Sequence, residues 1–497
     1  MEAWDVVVVG GGVAGLRAAI AASDEGASVT ILEEGALGSA SASLSCEGLA
    51  VSMGETTSSK HAEDTITIGA GACDESVVRR RTASAFDHLA EMERWGLVLR
   101  RDDNGLPMLS DAPGHSHPRL ATTGDTTGRE IHQILEEQCI KRSIPRRPDT
   151  HVISLAVDDG SICGVVALES QRGELVAIRA KSVILATDGY QSAWNGDGFG
   201  MGSGASLALA AGVELSNLEF QVFDPLCISG SGMRLPFAIL GDGATVRSAS
   251  GGSVEFSTEG GMFQATQAIL TTNEQCVVDA RVMDRGTPVW YADIAERVSS
   301  GIGGEMNEVV IPITPRVSST LGGIPCGFDG SVQGISGLYA AGDCASSGMH
   351  GADMIPGNRL LESLEGGSSA GSAAASNGAS GSTEVVDEAL SLASSKIAAL
   401  LHGSNDGMSP GQVASRLAKV MSDSMGTSRD ISGLESAAAA IDEMLTSKIV
   451  LSDESPIMNT ELVSCIRLEG LLSIASAAVS AASNRAESCG SHVRSDE

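Results

Sequence analysis

Residues 6–34 read VVVVGGGVAGLRAAIAASDEGASVTILEE, and no other stretch limits the possible folds as tightly. The unbroken valine run is too short for a helix. Bounded by glycine, it predicts a strand over 5–9 that is buried on both faces. Helical periodicity follows over 13–25, and Val29–Leu32 predicts a second strand. Such a βαβ unit begins a doubly wound parallel sheet. Gly10, Gly12 and Gly15 stand between strand and helix in G-x-G-x-x-G spacing. The first permits a tight turn, the second lets a diphosphate approach the backbone, and the third lets helix and strand touch. The helix N-terminus then faces the phosphate charge. Glu33 ends the second strand, where a carboxylate can accept from a ribose hydroxyl pair, whereas Glu34 begins the loop. A glycine motif alone is weak evidence; here the strand, the helix and an acid about twenty residues on all agree.

The remaining composition bounds the class. The 497 residues leave room for two or three domains. With 60 glycines and 3% aromatics, the chain suits close α/β packing. A formal charge of -31 repels nucleic acid and anionic lipid. Lysine occurs at only six of the 32 basic positions. A salt-adapted cytoplasm and a GC-rich genome selected for solubility both account for that balance. Ten cysteines are scattered without a CxxC pair, which argues against a metal or iron–sulfur site in this chain and against a disulfide framework. The sequence runs from Met1 straight into a strand, so no signal peptide is expected, and no apolar run of about 20 residues is evident. A soluble cytoplasmic protein with no direct membrane span is expected.

Further along, 74–97 predicts a helix with Phe86, Leu89, Met92 and Trp95 as its core stripe, and 127–142 predicts another. Residues 151–185 alternate like hairpin strands and end in the buried strand SVILAT. Between 225 and 315 the pattern loosens into short strands and Gly/Ser-rich loops, as in an inserted domain. GLYAAGDC at 337–344 returns to the first domain, and the first half of GGSSAGSAAASNGASGS predicts a closely packed small-residue helix. After 384 the pattern is helical, near 410–425, 431–450 and 459–485, with Ser409-Pro410 as N-cap and first helical residue. ILATDG (184–189) and GLYAAGD (337–343) resemble the two further strands by which flavoproteins of the two-dinucleotide-binding-domain type close over FAD; that resemblance favours FAD over NAD and implies that Asp343 faces the ribityl and phosphate region.

These blocks make the chain resemble the flavoproteins of succinate dehydrogenase, fumarate reductase and L-aspartate oxidase. GHSHPRLATTGDTTGREI (114–131), NGDGFGMGSGASLALAAGVELSNLEFQVFDP (195–225), LGGIPCGFDGSVQGISGLYAAGDCASSGMHGADMIPGNRLLE (321–362), MGTSRDISGL (425–434) and NRAESCGSHVR (484–494) match that family's blocks in order. The resemblance implies an α/β fold: a Rossmann-like FAD domain at 1–224 and 316–380, an α+β capping domain at 225–315, and a helical domain at 384–497. It implies hydride exchange between flavin N5 and a small organic substrate, and a possible iron–sulfur electron-transfer subunit as partner. Through that partner the protein could lie at a membrane. An L-aspartate oxidase-like enzyme and a flavin-binding subunit without dicarboxylate turnover stay open as alternatives.

Carried over by position, Gly10, Gly12, Val13, Ala14, Gly15, Glu33, Gly48, Leu49, Asp197, Asp343, Asn358, Arg359 and Leu360 would hold FAD. The loop GSASASLSCEGL (38–49) lacks the histidine to which covalent members attach FAD, so non-covalent FAD is expected. His350 and Arg359 are the catalytic candidates. The alternative for His350 is a structural hydrogen bond bracing the glycine-rich turn, and Arg359 could meet a substrate anion, the flavin's pyrimidine oxygens, or Glu362 in a surface ion pair. His115 and His117 are ligand contacts or plain loop residues. The family's dicarboxylate groups are largely replaced. Asp224 stands for a histidine, Ser318-Ser319-Thr320 for His-Tyr-Thr and Asp353-Met354 for Asn-Arg. The proton-donating arginine falls near Met262, with Arg247 and Arg281 the nearest arginines. Repulsion from Asp224 and Asp353 is therefore expected to keep a dicarboxylate out.

Overall fold

The computed structural model describes residues 1–39, 46–257, 259–283, 287–378, 381–403 and 407–497. Its opening follows the glycine pattern. Strand β1 (Glu2–Val9) leads through Gly10–Gly12 into helix α1 (Val13–Asp24), and strand β2 (Val29–Leu32) returns parallel to β1 with Val9 beside Leu32. On its other side β1 pairs in parallel with the strand Glu174–Leu185, with Val9 beside Leu185. The far edge of that strand is divided. Its first half pairs antiparallel with Ser161–Glu169, and its last three residues pair in parallel with Leu338–Ala340. Three strands therefore release their carboxyl ends at Gly10, Ala186 and Ala341, along one edge of the sheet. In open α/β sheets this edge is where ligands bind.

The glycines act chiefly by close approach. Gly10 has φ +116, and a Cβ there would lie 2.2 Å from the Ala186 carbonyl oxygen. A Cβ on Gly15 would lie 1.9 Å from the Gly10 carbonyl oxygen, so α1 could not reach the turn. The small-residue helix is the first half of that glycine- and serine-rich stretch: Asn358–Ala375 crosses α1 with Gly367 and Gly371 set against the backbone of Ala14 and Ala18. Backbone contact at this crossing ties the late return segment to the first βαβ unit.

Within 225–315 lies a four-stranded antiparallel sheet in the order Ser253–Val254, Thr245–Ser248, Cys276–Asp279, Val310–Ile313. The helices Met262–Leu270 and Ala292–Gly301 accompany it. Phe237, Val246, Val278, Tyr291, Ile294 and Ile311 form its core. This unit is latched onto the first domain. Asp125 Oδ2 accepts from the Ile294 amide at 2.9 Å, Arg129 pairs with Asp293 at 2.5 Å, and Arg100 grips Asp242 with two contacts of 2.7 and 3.1 Å.

Two expectations are corrected. Residues 74–97 form two helices, Glu75–Ala83 and Ala85–Trp95, and Phe86 is 47% exposed although Leu89 and Met92 are fully buried. A strict three-residue spacing drifts about 60° per step around a 3.6-residue helix, so Phe86 and Trp95 face opposite ways. Trp95 lies instead between the Arg17 and Arg142 guanidiniums, 5.7 Å from each. The second correction concerns Thr460–Asn484. By length and composition it is apolar enough to cross a membrane, with a mean hydropathy of 1.6 over an 18-residue window. Half of that window is buried, and Leu468, Leu471, Leu472, Ile474 and Val479 share a core with the helices Pro410–Ser424 and Ile431–Thr446.

Candidate active site

A groove follows the carboxyl edge of the sheet. Its narrow middle is lined by Gly12, Val13, Ala14, Ala186–Asp188, Gly342, Asp343, Arg359 and Leu360. One end widens around Gly10–Gly12, Glu33, Glu34, Ser39, Phe199 and Arg467. The other opens into a cleft between the two domains.

The groove suits a dinucleotide. A Cβ on Gly12 would meet no protein atom within 4 Å, and Gly12 lines the groove, so its side-chain direction is ligand space. No side chain caps the N-terminus of α1, which leaves its amides for an anion. Glu33 is buried, and Arg146 holds both its oxygens at 2.5 and 3.0 Å. Beyond Glu34 and Arg467 the wide end continues into a cavity lined by His151 and Ser203. Among the described residues, His151 Nδ1, Ser203 Oγ and Arg467 Nε are buried there without hydrogen-bond partners. Buried polar atoms of that kind require a polar partner.

The expected cofactor residues divide. Gly10, Gly12, Val13, Ala14, Glu33, Asp197, Asp343, Arg359 and Leu360 line the groove or its two ends. Gly15 acts behind it through packing. Gly48 and Leu49 are buried, with Gly48 against Thr122 and the Ala121 carbonyl. Asn358 lies elsewhere. Its Oδ1 meets His61 Nε2 at 2.7 Å and its Nδ2 donates to Thr65 at 3.0 Å, inside a buried chain that reaches Ser52. Residues 40–45 of the loop that lacks histidine are outside the described residues.

Of the catalytic candidates, Arg359 is in the groove and His350 is in a buried charge cluster. Arg359 does not pair with Glu362. Its Nε contacts both Asp343 oxygens at 2.9 and 2.8 Å, and its Nη2 also contacts Asp343. Glu362 instead meets His350 Nε2, Ser347 and Arg81. Burial would raise the Glu362 carboxyl, but the His350 ring and the Arg81 guanidinium outweigh it and hold it at about 2. His115 is buried and donates from Nε2 to the Pro356 carbonyl at 3.0 Å, while His117 meets Lys60 at 2.8 Å.

The wide cleft differs from expectation. Arg129, Arg234, Arg297, Arg316 and Arg359 all line it, with Asp125, Asp197, Asp293, Gln191, Ser231 and Ser318. Asp224 and Asp353 do not. Asp224 pairs with Arg234 at 2.7 Å, behind the lining; burial pushes its carboxyl up to about 7, and the hydrogen bond from the Leu226 amide opposes that shift. Asp353 accepts from the Phe263 amide at 3.1 Å and so caps the helix Met262–Leu270 from another part of the chain. The expected repulsion of a dicarboxylate by these two acids therefore lacks its geometry. Arg247 and Arg281 also point elsewhere, both toward Asp279 on the outer sheet. Four of the five cleft arginines are missing from the sequence reading, because they come from separate elements and carry no local motif. Arg316 meets Asp197 and Asn195 at 2.7 Å, and Arg234 meets Glu47 as well as Asp224. Arg297 is exposed and has no ion pair among the described residues. The Gln191 Oε1 atom is buried at the same cleft without a partner among the described residues.

A dinucleotide groove ending in a polar interdomain cleft defines a flavoprotein that brings a small molecule to its cofactor. Comparison with known proteins agrees. Residues 5–360 match the family model described as FAD binding domain, and 414–497 match fumarate reductase flavoprotein C-term. The chain is 28% identical to the fumarate reductase flavoprotein subunit of Haemophilus influenzae, covering 99% of this chain and 89% of that one. It is 32% identical to the L-aspartate oxidase of Mycobacterium leprae, covering 74% of each. The solved E. coli quinol fumarate reductase FrdA superposes with a TM-score of 0.93 at 24% identity, over 100% of this chain and 92% of that one. The chain belongs to the flavoprotein family of fumarate reductase flavoprotein subunits and L-aspartate oxidases, and it is an FAD-dependent oxidoreductase.

Proposed function

We propose that this oxidoreductase acts on a small carboxylic acid held in the arginine-lined cleft, and that its FAD is held without a covalent bond. The carrying observation is Arg297. It lines the cleft on the helix Ala292–Gly301 with no ion pair among the described residues, whereas the other four arginines each face an acid. A guanidinium not already neutralised is the natural partner for a substrate carboxylate. Arg316 and Ser318, which also line the cleft, can orient the rest of the molecule, and Gln191 Oε1 can accept one donor from it. FAD, when bound, supplies hydride exchange at N5. The protein positions the acid in the cleft and aligns cationic groups toward its charge.

Fumarate and L-aspartate enter as candidates through the relatives' names alone, and succinate through the family resemblance of the sequence. Against rapid turnover of fumarate or succinate stand the replaced histidines and the methionine at 262, which is fully buried and cannot donate a proton. Several relatives are named as subunits, which supports an iron–sulfur partner as electron carrier and, through it, a position beside a membrane. The absence of histidine from residues 38–49 supports non-covalent FAD. Acid precipitation should release the flavin into the supernatant; colour held in the pellet would contradict this. Arg297→Ala should weaken the binding of a reactive acid about tenfold or more, the loss expected for one charged hydrogen bond of about 1.5–3 kcal/mol. An unchanged binding constant would remove Arg297 from the site.

A further inference from the structure

Arg359 occupies an unusual position in the groove. It lines both the narrow middle and the wide cleft, so it stands at the junction where the dinucleotide part ends and the reacting part begins. It is the second residue of the helix Asn358–Ala375, whose N-cap Gly357 has no side-chain cap. The helix end adds partial positive charge at the same place. Asp343 holds Nε and Nη2 of the guanidinium, which fixes its plane, and no hydrogen bond among the described residues engages Nη1. The Arg359 side chain is only 13% exposed, so solvent screens its charge weakly. Asp188 also lines this junction. Without Arg359, the groove would present two carboxylates at the point a flavin must pass.

Two-electron reduction of a flavin by hydride places one proton at N5 and leaves one negative charge spread over the N1–C2 carbonyl edge of the ring. A cation at the ring end of the groove stabilises that charge, and charge near the ring is a principal means by which a protein tunes a flavin. We propose that Arg359 acts on the bound FAD itself, binding the reduced cofactor more tightly than the oxidised one and so raising its reduction potential, with Asp343 as the positioning residue that aims and partly offsets it. The proposal rests on the FAD assignment and is independent of which acid is the substrate.

The test uses the full-length protein loaded with FAD, as wild type, Arg359→Ser, Arg359→Lys and Asp343→Asn. Midpoint potentials are measured by equilibration with reference dyes, and oxidised-FAD affinity by fluorescence of the deflavinated protein. Arg359→Ser should favour oxidised over reduced FAD by at least tenfold relative to wild type, seen as a more negative potential. Arg359→Lys keeps the charge and should retain most of the wild-type value. Asp343→Asn removes the offsetting charge and should move the potential the opposite way. A potential unchanged in Arg359→Ser, with or without weaker FAD binding, would overturn the proposal, as would a more negative potential in Asp343→Asn. Wild-type protein that binds no FAD would overturn the cofactor assignment beneath it, a result distinguishable from either.

Discussion

Gly12 and Gly15 are three residues apart, and a side chain at each has a different consequence. At Gly12 a Cβ meets no protein atom within 4 Å, whereas at Gly15 it meets the Gly10 carbonyl at 1.9 Å. Gly12→Val should therefore fold, with stability within about 1 kcal/mol of the flavin-free wild type, yet bind no FAD. Gly15→Val should lose about 3 kcal/mol or more because backbone must move. Urea midpoints with flavin content separate the two; a Gly12→Val protein that retains full flavin would contradict the groove assignment. His61 offers a pH test. Burial lowers its ring from 6.5 to about 4, so it is neutral in the fold. The unfolded chain binds the proton more readily, so the contribution of His61 is complete above about pH 6.5 and fades as pH falls toward 4. Between pH 6.5 and 5 the wild type should lose more stability than His61→Gln, read from urea midpoints, and equal slopes would contradict the buried neutral ring. The glycine motif was legible because its residues are neighbours in sequence. Arg129, Arg234, Arg297 and Arg316 were not, because only the folded chain gathers them from two helices, a strand and a connecting segment.

At the scale of elements, the contact of α1 with Asn358–Ala375 depends on the absence of side chains. A Cβ on Gly371 would lie 2.2 Å from the Ala18 carbonyl oxygen. Gly371→Val should cost about 3 kcal/mol and also weaken FAD binding, since both helices end on the groove. Measured separately by urea unfolding and flavin titration, a loss of one without the other would show that the helices are not coupled in this way. The small-residue helix was readable from composition; the break at Ser84 and the exposure of Phe86 were not. A three-residue spacing suggests a stripe on paper, but 3.6 residues per turn carries it around the helix. Asp353 shows the same limit from the other side. An acid beside a glycine-rich motif reads as a site residue, yet its carboxylate caps a helix some 90 positions away in sequence.

Across the whole molecule, two domains meet over one cleft, and the latch between them is polar: Asp125 to Ile294, Arg129 to Asp293, Arg100 to Asp242. Of these contacts only Arg129–Asp293 is exposed and contributes little by itself; Arg100–Asp242 and Asp125–Ile294 are buried and costly to break, so they hold the two domains together at the cleft. The cofactor end was legible in sequence and the substrate end was not, since the first is a local backbone motif and the second a tertiary assembly of long side chains. The most direct test is anaerobic. The FAD-loaded protein is mixed with a panel of small carboxylic acids, including succinate and L-aspartate, and the dithionite-reduced protein with their unsaturated or oxo counterparts, including fumarate, while the flavin spectrum is followed. At least one acid should change the flavin's redox state, with an affinity that falls in Arg297→Ala. Redox exchange with neutral analogues as readily as with acids, or none with any acid while a neutral compound reacts, would contradict the arginine-lined cleft as the substrate site.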